Sequence, residues 1–421
     1  MTGNRIAVIG AGPVGLEAAA EGVRRGYDVT VYEAGRVGDH LRRFEWVRLF
    51  TPFGMNSSDS GPARLRETGA VLPSEDAIGT AGDLVARYLE PLARLPELAG
   101  SIREGTRVTA IAREGLSKGD GIVAAGERAR FGRPFLLRVA EQDGRERFER
   151  ADLVLDASGV YATPRATGPG GVPALGEESL EGRIERHLPD LMRAGRARFE
   201  GRRVLLVGSG HSAATALLDL QRLAQEGVAA TVIWVHRDSA PGADPFPVVA
   251  DDALPERRSL ADRANAIARA APWLSRRPGA VIESYESRGS GTRVGLREAN
   301  GAPSSVDVDH VLALAGYRPD TSLARELQIH LCYASEGPMG LATALLTARL
   351  ASPGLAGDCL SQTAHGAETL RTPEPGYFIL GAKSYGRNPN FVLSVGQKQV
   401  LEVFTLLDAE RAEAAAGVAA P

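Results

Sequence analysis

The chain has 421 residues, of which 43% are apolar and 5% aromatic, and its 49 basic side chains face 52 acidic ones for a net charge of −3. That length exceeds one simple core and suits two or three domains, and the near-balanced charge argues against a nucleic-acid partner. No run approaches the ~18 uninterrupted apolar residues of a membrane-spanning helix, a first strand from Arg5 leaves no room for a targeting peptide, and two cysteines fit a reducing compartment. The expectation is a soluble, cytoplasmic protein without a membrane or nucleic-acid partner, and the sequence leaves a homo-oligomer open.

The first element in chain order is a buried-type strand, Arg5 to Ile9, running into Gly10-Ala11-Gly12-Pro13-Val14-Gly15 and a helix from Val14 to Arg25. In this pattern the first glycine allows the tight turn, the second lets backbone approach a pyrophosphate, and the third lets helix and strand pack closely. The helix amino terminus then offers free N–H groups to phosphate. A second strand, Asp28 to Tyr32, ends in Glu33, followed by Ala34. A carboxylate there accepts from both ribose hydroxyls and repels a 2′-phosphate, which favours FAD or NAD over NADP. Short alternating strands are expected over Arg107 to Ile111, Phe135 to Val139 and Arg147 to Leu155.

Residues 164–176 are rich in Pro and Gly and read as a linker. Arg202 to Val207 is again a buried strand, running into Gly208-Ser209-Gly210-His211-Ser212-Ala213 and a helix to Glu226. The third glycine of the pattern is here Ala213. His211 reads as a helix-start residue rather than a catalytic one. The next strand, Ala230 to Val235, ends in His236-Arg237, where a guanidinium can clamp the 2′-phosphate of NADPH. A Pro-rich loop, Pro241 to Pro255, precedes a helix from Glu256 to Ala271, and the alanine-rich tail from Ala409 is expected to fray.

These segments resemble the two-dinucleotide-domain flavoproteins, and most of all their flavin-containing monooxygenase branch. Gly10 to Glu33 is similar to the family's FAD fingerprint, and Leu153 to Tyr161, with Ala157-Ser158-Gly159, to the strand that leaves its FAD domain. Gly208 to Ala213 with Arg237 is similar to the NADPH fingerprint, Val311 to Asp320, with Gly316, to the second such strand, and Tyr377 to Gln399 to the closing flavin segment. The family's inter-domain signature is absent as written, and the acid that follows glycine in the closing segment is missing from Gly381-Ala382-Lys383.

The resemblance implies an α/β fold of two Rossmann-like domains, the NADPH domain (177–310) inserted into a split FAD domain (1–163 and 311–408) ahead of a flexible tail (409–421). It implies FAD and NADPH as cofactors, a small-molecule substrate and O2. The activity it implies is nitrogen, sulfur or Baeyer–Villiger-type oxygenation through a flavin peroxide adduct. Leu41 falls beside the expected ring, while Gly386, Arg387 and a helix start at Gly396-Gln397 fall where the family closes over the flavin. Asn56 has two readings, an amide hydrogen bond to the flavin peroxide or to the nicotinamide, or ordinary turn chemistry. Lys383 is a candidate ring or ribityl contact, and it is notable because Lys118, Lys383 and Lys398 are the only lysines in an arginine-rich chain. Cys332 and Cys359 lie 27 residues apart with no short-spaced thiol motif, which disfavours a redox disulfide. The alternative is an NADPH-dependent flavoprotein reductase without oxygen transfer.

Overall fold

The computed structural model describes residues 4–120, 130, 132–237, 243–249, 251–351, 360 and 364–418. The chain divides into two compact units, Met1–Thr163 with Arg318–Pro421, and Pro164–Tyr317. In chain order the principal elements begin with β1 (Arg5–Ile9), α1 (Pro13–Arg24), β2 (Asp28–Tyr32), β3 (Ile102–Arg103), β4 (Thr106–Arg113), β5 (Phe135–Glu141), β6 (Glu146–Ala151) and β7 (Leu153–Asp156). The second unit holds β8 (Ile184–Glu185), β9 (Arg203–Val207), α2 (His211–Gln225), β10 (Thr231–His236), α3 (Pro255–Ala270) and β11 (Leu274–Pro278). It continues through β12 (Val281–Arg288), β13 (Gly291–Arg297), β14 (Pro303–Val308) and β15 (His310–Ala313). The chain then supplies α4 (Met339–Ala351), β16 (Tyr377–Ile379) and α5 (Leu393–Val418) to the first unit.

The first unit is built on a five-stranded parallel sheet in the order β16-β7-β1-β2-β3. Its inner strands are continuous apolar runs, as a sheet covered on both faces requires. Against one face lie Leu16, Ala18, Ala19 and Ala20 of α1 with Val400, Val403, Phe404 and Leu407 of α5, all buried. Small residues bring these elements together: a Cβ at Gly22 would stand 2.9 Å from Val29 and 3.1 Å from the Phe404 ring. The antiparallel sheet β4-β5-β6 sends Ile111, Phe135, Leu137 and Val139 into a second core shared with Ile379 and Leu327.

The second unit repeats the plan with a parallel sheet ordered β11-β10-β9-β15-β8. Leu205, Val207 and Val235 of that sheet pack with Ile282, Val294 and Leu296 of an antiparallel meander, β12-β13-β14.

Several expected boundaries move. The single strand expected over Arg147 to Leu155 is two strands, because Asp152 binds the Arg5 backbone and side chain and the chain changes sheet there. Residues 164–176, expected as a linker, are part of the second unit. Glu177 accepts from the Thr167 and Ala174 N–H groups, and Leu175 exchanges backbone bonds with Glu283 and Tyr285. The strand expected to return to the first domain from Val311 is β15, which pairs with β9 and β8 of the second unit, so the return falls at Arg318. The tail expected to fray from Ala409 continues α5 as helix to Val418, as its alanines favour.

Candidate dinucleotide sites

The first glycine loop sits at the carboxyl end of β1. Gly10 has φ of 96°, and a Cβ there would lie 2.9 Å from the Ala157 carbonyl oxygen, so only glycine fits. Gly12 precedes α1 with nothing within 4 Å of where its side chain would be, which leaves room for a ligand. Pro13 takes the first helical position and no side chain caps the helix, so its leading N–H groups remain available to an anion. A Cβ at Gly15 would stand 1.9 Å from the Gly10 carbonyl oxygen, and Val14 is buried against Gly381 and Gly396 of the closing segment.

Glu33 follows β2 and is tied into the loop. Its carboxylate accepts from the Ala11 N–H and from the Gly35 N–H, each at 2.7 Å. Burial pushes this carboxyl up, and the two backbone donors pull it partly back. Ala34 follows, half-buried, and a cleft of about 750 Å³ lined by Gly35, Arg36, Asp39, Glu104 and Glu141 opens beside it. Leu41 lies on the short helix Asp39–Arg42 and packs on the main core. Gly159, with φ of 72°, ends the turn that leaves β7.

The second loop repeats this geometry. Gly208 has φ of 115°, and its Cβ would meet the Leu314 carbonyl oxygen at 2.3 Å, as Gly10 meets Ala157. The Gly208 carbonyl accepts from the buried Trp234 indole at 2.8 Å. Gly210 is open within 4 Å, and α2 starts at His211 without a side-chain cap, followed by Ser212 and a buried Ala213. Ser209 lies between the two glycines, half-buried. His236 ends β10 buried beside Trp234, their ring centroids 4.4 Å apart, while Arg237 is exposed. Gly316, φ 86°, lies beyond the end of β15, and its carbonyl accepts from the Arg165 N–H at 2.9 Å.

Both residues singled out for catalysis have other occupations. The Asn56 amide donates to the Thr51 carbonyl at 2.9 Å and accepts from the Thr51 hydroxyl at 2.7 Å, the turn chemistry of its second reading. It also lines a cavity of about 170 Å³ whose walls include Leu49, Phe53, Ile78 and Leu84. Lys383 is buried, and its ammonium donates to Asp156 Oδ2 at 2.7 Å and to the Ser158 hydroxyl at 3.0 Å. Asp156 and Tyr377 are functional candidates that the sequence reading did not single out. The only local signal was an acid directly before Ala157-Ser158-Gly159.

In the closing segment, Gly386 adopts φ of 62°, and its Cβ would lie 1.9 Å from the Ser335 carbonyl oxygen, so its glycine serves a contact with the 335–337 loop. Arg387 pairs with Glu336 at 2.7 Å. The helix expected to start at Gly396-Gln397 starts at Leu393, which places Gln397 one turn inside. Its side-chain amide nitrogen is buried with no hydrogen-bond partner among the described residues. Such a donor is costly unless a ligand accepts from it. That orphan amide with open Gly12 fits a dinucleotide in the first unit, and open Gly210 at an uncapped helix start fits one in the second. Cys332 is a free, partly exposed thiol, its ionisation favoured by hydrogen bonds from Ser335, and Cys359 lies outside the described residues.

Two parallel sheets, each with a strand–glycine–helix unit and an antiparallel three-stranded companion, one inserted into the other, constitute the fold of the two-dinucleotide-binding-domain flavoproteins. Solved structures show it across nearly the whole chain. The bacillithiol disulfide reductase Bdr (YpdA) from Bacillus cereus has a TM-score of 0.69 at 16% identity, covering 97% of this chain and 99% of that one. The cadaverine monooxygenase DfoA from Erwinia amylovora, solved bound to FAD, has a TM-score of 0.63 at 14% identity, with 96% and 94% covered. The ornithine N-hydroxylase KtzI from Kutzneria sp. 744 has 0.61 at 17%, with 98% and 100% covered. No protein-family model and no curated protein matches the chain. Among the described residues no helix is long and apolar enough to cross a membrane, and no group of metal-ligating side chains is present.

Proposed function

We propose that this chain is an FAD- and NADPH-dependent oxidoreductase, and within that class a monooxygenase of small molecules. The observation that carries the first statement is the pair of open glycine loops with opposite charges beyond their second strands: Glu33 in one, Arg237 in the other. Glu33 is pinned by the Ala11 and Gly35 N–H groups, so a carboxylate already held in place would accept from a ribose diol, and its charge would reject a 2′-phosphate. Arg237, exposed at the equivalent place, attracts one. FAD, when bound, supplies hydride acceptance and onward electron transfer. The start of α1 would hold its diphosphate, and the Gln397 amide would donate to the flavin from the closing segment, with Val14 packed beneath that segment.

The finer reading, oxygen transfer, is supported by the cysteine pattern and by the similarity of the fold to DfoA and KtzI. The cavity beside Asn56, walled by Leu49, Phe53, Ile78 and Leu84 together with Asp83 and Arg87, has room for a compact organic substrate. The test supplies the FAD-loaded protein with NADPH, ¹⁸O2 and panels of amines, thioethers and ketones. Incorporation of one labelled oxygen per NADPH consumed supports the monooxygenase. NADPH oxidation that yields only hydrogen peroxide, but couples to quinones or disulfides, would replace it with the reductase reading. Absence of FAD uptake and of NADPH oxidation would remove both.

A further inference from the structure

Lys383 stands out twice. It is one of three lysines in a chain whose other basic side chains are arginines, and it is only 2% exposed. The structure gives the reason for an ammonium: it donates to two acceptors, Asp156 Oδ2 and Ser158 Oγ, in a space closed by Tyr377, whose hydroxyl donates to the same Oδ2 at 2.8 Å. A compact ammonium fits this closed space, where a planar guanidinium is larger and carries five donors to satisfy. Burial alone would raise the Asp156 carboxyl, but Lys383, Ser158 and Tyr377 outweigh it and hold it below the usual carboxylate range.

What the pair grips is the turn against the first glycine loop. Asp156 Oδ1 accepts from both the Ser158 N–H, at 3.2 Å, and the Ser158 hydroxyl, at 2.6 Å. The Asp156 carbonyl accepts from the Leu380 N–H, and the Ala157 N–H donates to the Ile9 carbonyl, which locks the turn between β1 and β16. A Cβ built on Gly10 stands 2.9 Å from the Ala157 oxygen and 3.1 Å from the Ser158 Cα, so this turn is the wall against which the phosphate loop is shaped. On the other side, Lys383 follows Gly381, which packs on Val14 of α1 and is itself held by Gln399, whose side-chain oxygen accepts from the Gly381 N–H at 2.9 Å.

We propose that Lys383 is a positioning residue for the bound flavin dinucleotide. Through Asp156 and Ser158 it fixes the Ala157–Ser158–Gly159 turn against Gly10, giving this chain a charge lock where its closing segment lacks an acid after Gly381. The inference rests on the dinucleotide reading of the first unit. Removing the ammonium leaves a buried carboxylate short of a cation and takes one of its hydrogen bonds from the Ser158 hydroxyl.

The experiment measures FAD affinity of the apoprotein by flavin fluorescence, together with the visible circular dichroism of bound flavin, for Lys383→Met, Ser158→Ala and the double variant Lys383→Met/Asp156→Asn. NADP+ binding to the same samples serves as the folding control. Lys383→Met is expected to lose at least tenfold in FAD affinity and to alter the flavin dichroism while NADP+ affinity stays within twofold. Ser158→Ala, which leaves no buried charge unpaired and so guards against a misfolded Lys383→Met, should lose about threefold. The double variant should not recover. Recovery of wild-type FAD affinity in the double variant would reduce the pair to charge balance and overturn the proposal, as would unchanged affinity in folded Lys383→Met and Ser158→Ala. Failure of the unmodified protein to take up FAD, with NADP+ still bound, removes instead the reading on which the proposal stands.

Discussion

The two glycine loops share a backbone plan and differ in how tightly the protein occupies it. In the first, Glu33 is pulled back into the loop by two N–H groups, and the turn opposite Gly10 is gripped by a buried ion pair. In the second, the turn opposite Gly208 is Leu314, the loop carbonyl is held by an indole, and the charge beyond the strand, Arg237, is exposed. A loop closed by internal bonds is held in one shape by the protein itself, and a loop whose flanking charge is exposed leaves that charge free to rearrange. The difference extends to buried charge. In the first unit Glu374 is answered by Arg113 and Arg130, each at 2.7 Å and all three nearly inaccessible. In the second, buried Asp219 is answered at 3.2 Å by Arg222, whose side chain is half exposed.

The largest expected effect breaks the first unit's charge cluster. Burial would raise the Glu374 carboxyl, but its two guanidiniums and the Gln328 N–H hold it low. Glu374→Ala leaves two arginines buried without their anion and should destabilise the protein by about 3–5 kcal/mol in urea unfolding. A loss under about 1 kcal/mol would show that water reaches the cluster. Next, the loops differ at their third small residue. Gly15→Ala places a methyl 1.9 Å from the Gly10 oxygen and should weaken FAD binding at least a hundredfold, about 2.7 kcal/mol. Ala213→Gly, at the matching place, should change NADP+ binding less than threefold. Equal sensitivity at the two positions would dissolve the contrast between a tight and a loose loop.

Asp219 tests the charge comparison by pH. Burial pushes its carboxyl up to about 6, so folding favours the protonated form, and stability falls as pH rises from about 4 to about 6. Asp219→Asn should therefore stabilise by of order 2 kcal/mol at pH 7–8 and by nothing below pH 4. A thermal shift that is the same at both pH values would contradict the assignment. The smallest effect sharpens the nucleotide contrast: Arg237→Ala should raise the KM for NADPH about tenfold, roughly 1.4 kcal/mol, and leave that for NADH within twofold. Parallel loss for both nucleotides would place the 2′-phosphate elsewhere.

The strand–glycine–helix units were legible because each carries its signals within some thirty residues: an apolar run, glycines at fixed offsets, a small-residue helix and a terminal charge. Both parallel sheets and the extent of β1, β2 and β10 follow from that local pattern to within a residue or so. What depends on distant partners was not legible. Asp152 ends β6 because Arg5 binds it from far up the chain, and the Pro- and Gly-rich 164–176 segment is ordered because Glu177 and the meander strand β12 use its backbone. At the site, the spacing placed Lys383 in the expected closing segment. It could not show that the ammonium serves Asp156, 227 residues away in sequence, or that Thr51 absorbs the Asn56 amide.

The crossing between the units has a consequence for how such a chain can be rebuilt. The outgoing and returning strands run side by side: Arg318 donates to the Thr163 carbonyl at 2.9 Å, and Pro164 bridges to Tyr317. The excursion from 164 to 317 therefore leaves and re-enters at one point, so it is a cassette rather than a half. It carries its own sheet and core, and a short splice from Thr163 to Arg318 would reconnect the host without stretching it. The module from Pro164 to Tyr317 can thus be removed or replaced at two junctions that are neighbours in space though far apart in sequence.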